Sequence, residues 1–369
     1  MKLRSKLQAI IYAIEPITFL VINMKRLVHA SHRKKLRNII LSISQKTGKT
    51  KMSIRWDLFI KCFCACAVYS EYESMRLYER PLREMKLIFT HGRSQRVMKF
   101  MKTPETKRIF AHKPTFNSVF SKFVKRDWLF LTEKTTLEEF DIFVKKHPVF
   151  VAKPPQANKG SGVWLVNSAK YSSIEFLYQL LIKYGTTLVE ERINNHKDLD
   201  KFSSTSLNTL RIITLLLPDG IRIIQAHLKF NLSGGIADNH LTKGFMCPIK
   251  FDTGEINGNI DALDENDESG EFHPSGFRVI GQKIPYWEEV VSLAKECTLF
   301  LDDVYLGAWD IAVTDDGPLI IEGNNGPDFN FQTAVHYPIN SYMQQARKYV
   351  KKCRKLKKKA LLKGENSIE

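Results

Sequence analysis

The 369-residue chain contains no run of about 20 apolar residues, the length a helix needs to cross a bilayer. Its most apolar N-terminal stretch, residues 7–22, is interrupted by Gln8, Glu15 and Pro16, and no small-residue cleavage site follows it. A signal peptide is therefore not expected. Paired C-x-x-C spacing is missing too. Cys62, Cys64 and Cys66 alternate within FIKCFCACAVY, while Cys247, Cys297 and Cys353 stand alone. That pattern argues against a paired-cysteine zinc site and reads as free thiols buried in a reducing compartment. Neither G-x-x-x-x-G-K-S/T nor G-x-G-x-x-G occurs, which removes the Walker and dinucleotide-binding loops. No zinc-finger, homeodomain or RNA-recognition signature is found, so nucleic acid is not an expected partner. No Ser–His–Asp or Cys–His arrangement stands out as a nucleophilic centre.

Acid is also scarce at both ends. Residues 1–51 hold twelve Lys or Arg against Glu15 alone, and 347–359 are dense in Lys and Arg, within a formal net charge of +17. Such ends suit an anionic surface, either lipid headgroups or a polyanionic substrate, or they are solvated helix faces. Residues 7–22, flanked by Lys2, Arg4, Lys6, Lys25 and Arg26, can lie on a membrane surface, but a core helix is the preferred reading.

What is present is a globular composition, 43% hydrophobic. Residues 1–105 read as a mostly helical N-terminal region, with 56–79 dense enough in apolar residues for one buried helix. The Pro-, Lys- and Thr-rich stretch 103–114 marks a boundary. From there short strands and helices alternate. Residues 136–146 form an amphipathic helix capped by Thr136, with Leu137, Phe140 and Val144 on one face. Residues 149–166 read as strand, Gly-bearing loop and strand. The turn Pro218-Asp219-Gly220 joins two further strands. Helices mixed with antiparallel hairpins indicate an α+β fold.

The hairpin WDIAVTDDGPLIIEGN carries the clearest chemistry. If its turn centres on Asp316, Asp310 and Glu322 are equidistant from it and face each other. Alternation then points Asn324 the same way as Glu322. Two carboxylates and an amide oxygen form a hard-oxygen set suited to Mg2+. The KGSG turn, Lys159, Gly160, Ser161 and Gly162, follows Lys153 at the end of an apolar strand. Glycines admit phosphate oxygens to backbone N–H groups, and lysine adds charge. Alone, that turn is an ordinary hairpin loop as readily as a phosphate loop. The segment 188–193 can offer its backbone to an adenine ring. Arg211, mid-strand in NTLRIITLLL, needs an anion, either a phosphate or an internal carboxylate.

In this order the segments FVAKPPQANKGSGV, VEERINNHKDL, SLNTLRIITLLLPDG, GGIADNHLTKG, FHPSGFRVIGQKIPYWEEV and WDIAVTDDGPLIIEGNNGPD resemble the ATP-grasp superfamily, in particular its sugar-transfer associated group, related to α-L-glutamate ligases. The resemblance covers about 113–332. It implies an ATP-grasp fold with a helical N-terminal region (1–105), an ATP-grasp domain over 106–340, and a basic tail over 341–369. The domain would comprise a lid-containing part (106–195) and a metal-binding part (196–340). It implies nucleotide lysines at Lys113 and Lys153, a closing loop at Lys159 to Gly162, and an adenine hinge at Glu190, Glu191 and Ile193. It also implies an arginine near the transferred phosphate at Arg211, assisted by Lys229 or Lys243, and Mg2+ ligands at Asp310, Glu322 and Asn324. The usual ribose-binding acid is not evident, and His196 or Asp198 stands in its place.

The implied activity is an ATP- and Mg2+-dependent carboxylate–amine or carboxylate–thiol ligase working through an acyl phosphate, in surface or capsular polysaccharide biosynthesis. Its substrates would be small or sugar-linked carboxylates and amines. A phosphotransferase on the same scaffold and a non-catalytic membrane- or polyanion-binding protein are the alternatives. The expected location is the cytoplasm, with peripheral contact at the inner face of the membrane through the basic ends.

Overall fold

The computed structural model describes residues 15–156, 162–185, 187–232, 244–262, 270–324, 326, 327, 329 and 339–362. The chain divides into two compact units. One comprises Met1–Lys102, Leu215–Ile224 and Gly326–Glu369, the other Thr103–Thr214 and Gln225–Asn325.

The first unit is helical: α1 (Glu15–Leu27), α2 (Ala30–Thr47), α3 (Lys51–Ala65), α4 (Tyr69–Ser74) and α5 (His91–Met101). Its core gathers Ile39, Ile40, Ile43, Ile54, Cys62, Tyr72 and Leu77. The single helix expected over 56–79 is broken. α3 stops because Cys66 takes a left-handed conformation (φ 53°), and α4 begins three residues later. The reason lies in α5. Thr90 Oγ1 donates to the Ala65 and Cys66 carbonyls at 2.7 and 3.0 Å, and the buried Arg93 donates to the Cys64 carbonyl at 3.0 Å. These donors satisfy carbonyls that a continuing helix would have used, so tertiary bonds override helix propensity. Cys62 and Cys66 are buried as expected of free thiols, whereas Cys64 is exposed.

The second unit is α+β. It runs through α6 (Pro104–Ala111), α7 (Lys113–Val119), α8 (Ser121–Val124), β1 (Trp128–Phe130), α9 (Leu137–Lys146), β2 (Val149–Lys153), β3 (Trp164–Asn167), α10 (Ile174–Lys183) and β4 (Leu188–Glu191). Then follow β5 (Thr209–Leu217), β6 (Gly220–Asn231), β7 (Gly244–Pro248), β8 (Asp261–Ala262), α11 (Trp287–Leu299), β9 (Leu306–Thr314) and β10 (Gly317–Asn324). A four-stranded sheet has the order β1-β4-β2-β3, and a six-stranded sheet the order β10-β9-β5-β6-β7-β8. The tip of the β5–β6 hairpin, 215–224, groups with the first unit. On α9, Thr136 and Glu139 form a reciprocal capping box, which explains the clean start of this helix. Phe140 and Val144 are buried against the smaller sheet, while Leu137 stays exposed.

The first unit is completed by α12 (Ile339–Leu362), so the basic segment expected as a tail from 341 is helical as far as Leu362. Met343, Ala346 and Val350 are buried, and Arg347 and Lys351 place their cations 5.2 and 4.7 Å from the centre of the Phe100 ring on α5. Charge and apolar stems both contribute to that docking.

Gly92 marks a close backbone approach in the helical unit: a Cβ there would lie 2.2 Å from the Cys66 carbonyl oxygen. Gly92→Ala is therefore expected to destabilise the protein by about 1–3 kcal/mol, as overpacking does. Urea denaturation followed by circular dichroism measures this, and an unchanged midpoint would contradict the close approach.

Candidate active site

Four neighbouring strands of the larger sheet bring four charged side chains together: Glu322 on β10, Asp310 on β9, Arg211 on β5 and Lys229 on β6. The β9–β10 register pairs Glu322 with Asp310, although not by simple counting. Gly317 pairs with Thr314 and Ile320 with Ile311, a spacing that would put Ile321 opposite Asp310. A β-bulge between Ile320 and Glu322 shifts the register by one residue and delivers the second carboxylate to the first. Gly323 follows it. A Cβ there would meet the Phe116 and Phe110 rings at 2.6 and 2.8 Å, so this glycine lets β10 lie against those aromatics. Asn324 Nδ2 donates to Glu322 Oε1 at 3.4 Å.

Asp310 is buried and gripped by a guanidinium fork: Arg211 Nε donates to Oδ1 at 2.5 Å and Nη2 to Oδ2 at 2.8 Å. Lys229 Nζ stands 3.9 Å from Oδ1. Burial alone would raise the Asp310 pKa, but the charges of Arg211 and Lys229 outweigh it and hold the carboxyl below its ordinary value. Arg211 thus has an internal carboxylate as its anion in this structure. Asp310 also interacts with the Glu322 side chain across the ladder. With Glu322 and the Asn324 carbonyl, the donor set is all oxygen and fits magnesium.

A second charged cluster lies on the smaller sheet. Glu190 is buried in the central strand β4. Its Oε2 pairs with Lys153 Nζ at 2.5 Å, and its Oε1 accepts from Arg126 Nη2 at 2.8 Å and Asn117 Nδ2 at 2.7 Å. Lys153 on β2 pairs with Leu188, so it sits diagonally from Glu190 on one face, within reach of long side chains. Arg126 also donates to the carbonyls of Ile320 (2.6 Å) and Ile321 (2.9 Å), at the bulge of β10. Burial would raise the Glu190 pKa, but Arg126 and Lys153 push it down to about 2. Burial depresses the Lys153 ammonium, with the Glu190 charge working against that depression.

The remaining expected site residues are more scattered. The Lys113 backbone N–H donates to the Pro155 carbonyl at 3.0 Å, which sets α7 beside the segment leaving Lys153. Glu191 Oε2 accepts from the Asp127 backbone N–H at 3.0 Å, and Ile193 is half-buried after β4. His196 lies at the far, turn end of the β9–β10 hairpin. Its N–H donates to the Val313 carbonyl at 2.7 Å, and its ring meets Tyr286 edge-on at 5.7 Å. Its neighbours there are those of the hairpin turn, with Asp315 at 3.7 Å. Gly162 has φ 74°, a left-handed geometry suited to glycine. Lys159, Gly160, Ser161 and Lys243 lie outside the described residues.

Arg126 and Asn117 had not been singled out in the sequence. No local motif marks them: Arg126 directly precedes β1, and only the pairing of Trp128 with Glu190 in the fold brings it beside that carboxylate.

A protein-family model described as sugar-transfer associated ATP-grasp matches residues 84–348. The chain belongs to the sugar-transfer associated ATP-grasp family. Membership rests on that sequence match over most of the chain, and it makes the fold an ATP-grasp fold, here with a helical N-terminal region. Among solved structures, the D-alanine–D-alanine ligase of Coxiella burnetii is similar at 10% identity and a TM-score of 0.42, over 69% of this chain and 62% of that one. The phosphoribosylamine–glycine ligase of Thermotoga maritima matches at 14% identity and a TM-score of 0.43, over 66% of this chain and 56% of its own. The Bacillus anthracis D-alanine–D-alanine ligase complexed with ATP matches at 15% identity and a TM-score of 0.39, over 66% and 68%. This family member thus spans less than two thirds of the length of the first two ligases. No curated protein matches the chain.

The first unit has an open pocket of about 560 Å³, whose wall includes Arg26, Lys99, Lys102, Ser70 and Ser94. Glu71 also lines it, and its two oxygens accept the Val68 and His91 backbone N–H groups at 2.8 and 2.7 Å.

The depressed Glu190 pKa makes a signed prediction. A carboxyl lowered from 4.5 to about 2 stabilises the fold above pH 4.5, and that contribution is lost as the pH falls toward 2. Glu190→Gln should cost about 3 kcal/mol at pH 7, from the linkage of a shift of that size. The gap from the parent protein should close between pH 4.5 and 2. Urea titrations across that range test this, and a pH-independent gap would count against it.

Proposed function

We propose that this protein is an ATP- and magnesium-dependent ligase that phosphorylates a carboxylate and joins the resulting acyl group to an amine or thiol. The observation that carries the reading is the row Glu322, Asp310, Arg211, Lys229 across four adjacent strands. Two acids beside two bases are what a polyphosphate chain with its cation requires. Membership of the family supports ATP as the nucleotide, and the family description favours a substrate linked to sugar transfer.

On this reading Asp310, Glu322 and the Asn324 carbonyl hold magnesium, which supplies divalent charge against the phosphate oxygens. Arg211 and Lys229 face the transferred phosphoryl group and offset its developing negative charge. The backbone of 190–193 meets the adenine, and Lys113 and Lys153 add cations along the nucleotide. The substrate carboxylate oxygen attacks the γ-phosphorus, and the β–γ bridging oxygen leaves with ADP. An amine then attacks the acyl carbon, inorganic phosphate departs, and the amine gives up a proton. The protein positions reactants and excludes water rather than supplying a nucleophile.

Glu322→Gln is the cleanest test of the whole reading, because it removes a carboxylate while leaving the Arg211–Asp310 pair intact. Substrate-dependent ADP release should fall at least about a hundredfold, as for loss of a charge-stabilising group. Magnesium-dependent ATP binding should weaken in calorimetry. Undiminished turnover would refute the assignment, and a stable phosphoester in place of an amide or thioester would mark a phosphotransferase.

A further inference from the structure

Among the described residues no helix is long and apolar enough to cross a membrane. The first unit nevertheless exposes large apolar side chains on two packed helices, α1 and α3. On α3 the exposed large apolar residues are Met52, Trp56, Phe59, Ile60 and Phe63. Their spacing places them within one stripe of roughly 100° on a helix of 3.6 residues per turn. Trp56 is 62% exposed. α1 carries a second stripe, Ile17, Leu20 and Met24, the last 67% exposed. On its buried side α1 packs against α3 through Phe19, whose ring contacts Phe59 and Phe63 edge-on at 5.9 and 5.6 Å.

A soluble surface seldom carries so many large apolar side chains side by side, so this face is suited to a partner. The surrounding charge indicates which. Over residues 15–65 the chain has eleven Lys or Arg against Glu15 and Asp57. Asp57 is already engaged, by Lys61 at 3.1 Å and the Tyr72 hydroxyl at 2.5 Å. Lys51 and Arg55 flank the α3 stripe, and Lys25 flanks that of α1; all three are exposed. An exposed Trp and Phe beside flanking cations is the arrangement of a helix lying in the headgroup region of an anionic bilayer.

We infer that the α1–α3 face docks the protein on the surface of an anionic membrane, with Trp56 and its apolar neighbours inserted at the acyl boundary and Lys25, Lys51 and Arg55 among the headgroups. This holds independently of the reaction catalysed. It gives the helical unit a role of its own, carrying the ligase to lipid-linked or membrane-proximal substrate.

The test is flotation of the full chain with phosphatidylglycerol/phosphatidylcholine vesicles and with phosphatidylcholine alone, comparing the parent protein with a Trp56→Ser/Ile60→Ser variant. Both residues are exposed, so the variant's melting temperature should stay close to the parent's. The parent should float with the anionic vesicles, less so at high salt, and poorly with the zwitterionic ones. The variant's affinity for anionic vesicles should fall at least about tenfold, from the apolar area no longer inserted, while its ATP binding is unchanged. Failure of the parent to float with anionic vesicles would overturn the inference, as would equal flotation of the variant or binding indifferent to lipid charge. So would a parent dimer that ignores vesicles and that the variant dissociates.

Discussion

The buried carboxylate of Glu190 is the point on which the second unit depends. Alone in an apolar interior it would be costly, and so would Lys153 or Arg126. Together, with Asn117 supplying a further donor, each offsets the desolvation of the others. Arg126 extends the effect beyond one sheet. The guanidinium that grips Glu190 on β4 also holds two carbonyls of β10, and those carbonyls belong to the bulge that brings Glu322 opposite Asp310. A strand bulge leaves backbone groups without ladder partners. Here a charged side chain takes them up, so the irregularity is fixed in place.

Two neighbouring details show how closely the acidic row depends on packing behind it. Gly323 has no room for a side chain because Phe110 and Phe116 press against β10. Behind β9, Trp309 is fully buried, and its indole N–H is shared between Thr214 and Thr298 at 3.0 and 3.1 Å. Glu322, Asn324 and Asp310 alternate with these inward residues, so the strands that present the acidic and amide side chains on one face are anchored by aromatic contacts on the other. Packing of this kind fixes the positions of the charged side chains before any other group meets them.

Local patterns made the helices and hairpins of the second unit legible. Thr136 with Glu139, Pro218-Asp219-Gly220 and the alternation in WDIAVTDDGPLIIEGN are all short-range signals. The pairing of Asp310 with Glu322 was reached by counting from Asp316, yet the observed turn is centred between Asp315 and Asp316, and the bulge makes up the difference. Counting could not reveal that, because the bulge is secured by Arg126, nearly 200 residues earlier. Arg126 and Asn117 escaped notice for the same reason: their importance lies in long-range partners, and neither the KRD nor the FNS context marks it. The break after α3 was missed because Thr90 and Arg93, from a distant helix, satisfy the carbonyls at its end.

Composition alone also could not assign the two basic ends, since the same excess of Lys and Arg does different work in each. At the C-terminus, α12 turns Arg347 and Lys351 onto the face of Phe100, and its apolar side is buried. Those cations are part of the packing. At the N-terminus, Lys25, Lys51 and Arg55 remain exposed beside an apolar face that is exposed as well. A cation over a ring of its own unit is partly engaged by its own fold, whereas a cation bordering exposed aromatics retains most of its attraction for an external anion. The distinction turns on what lies beneath each charge, and composition does not carry that information.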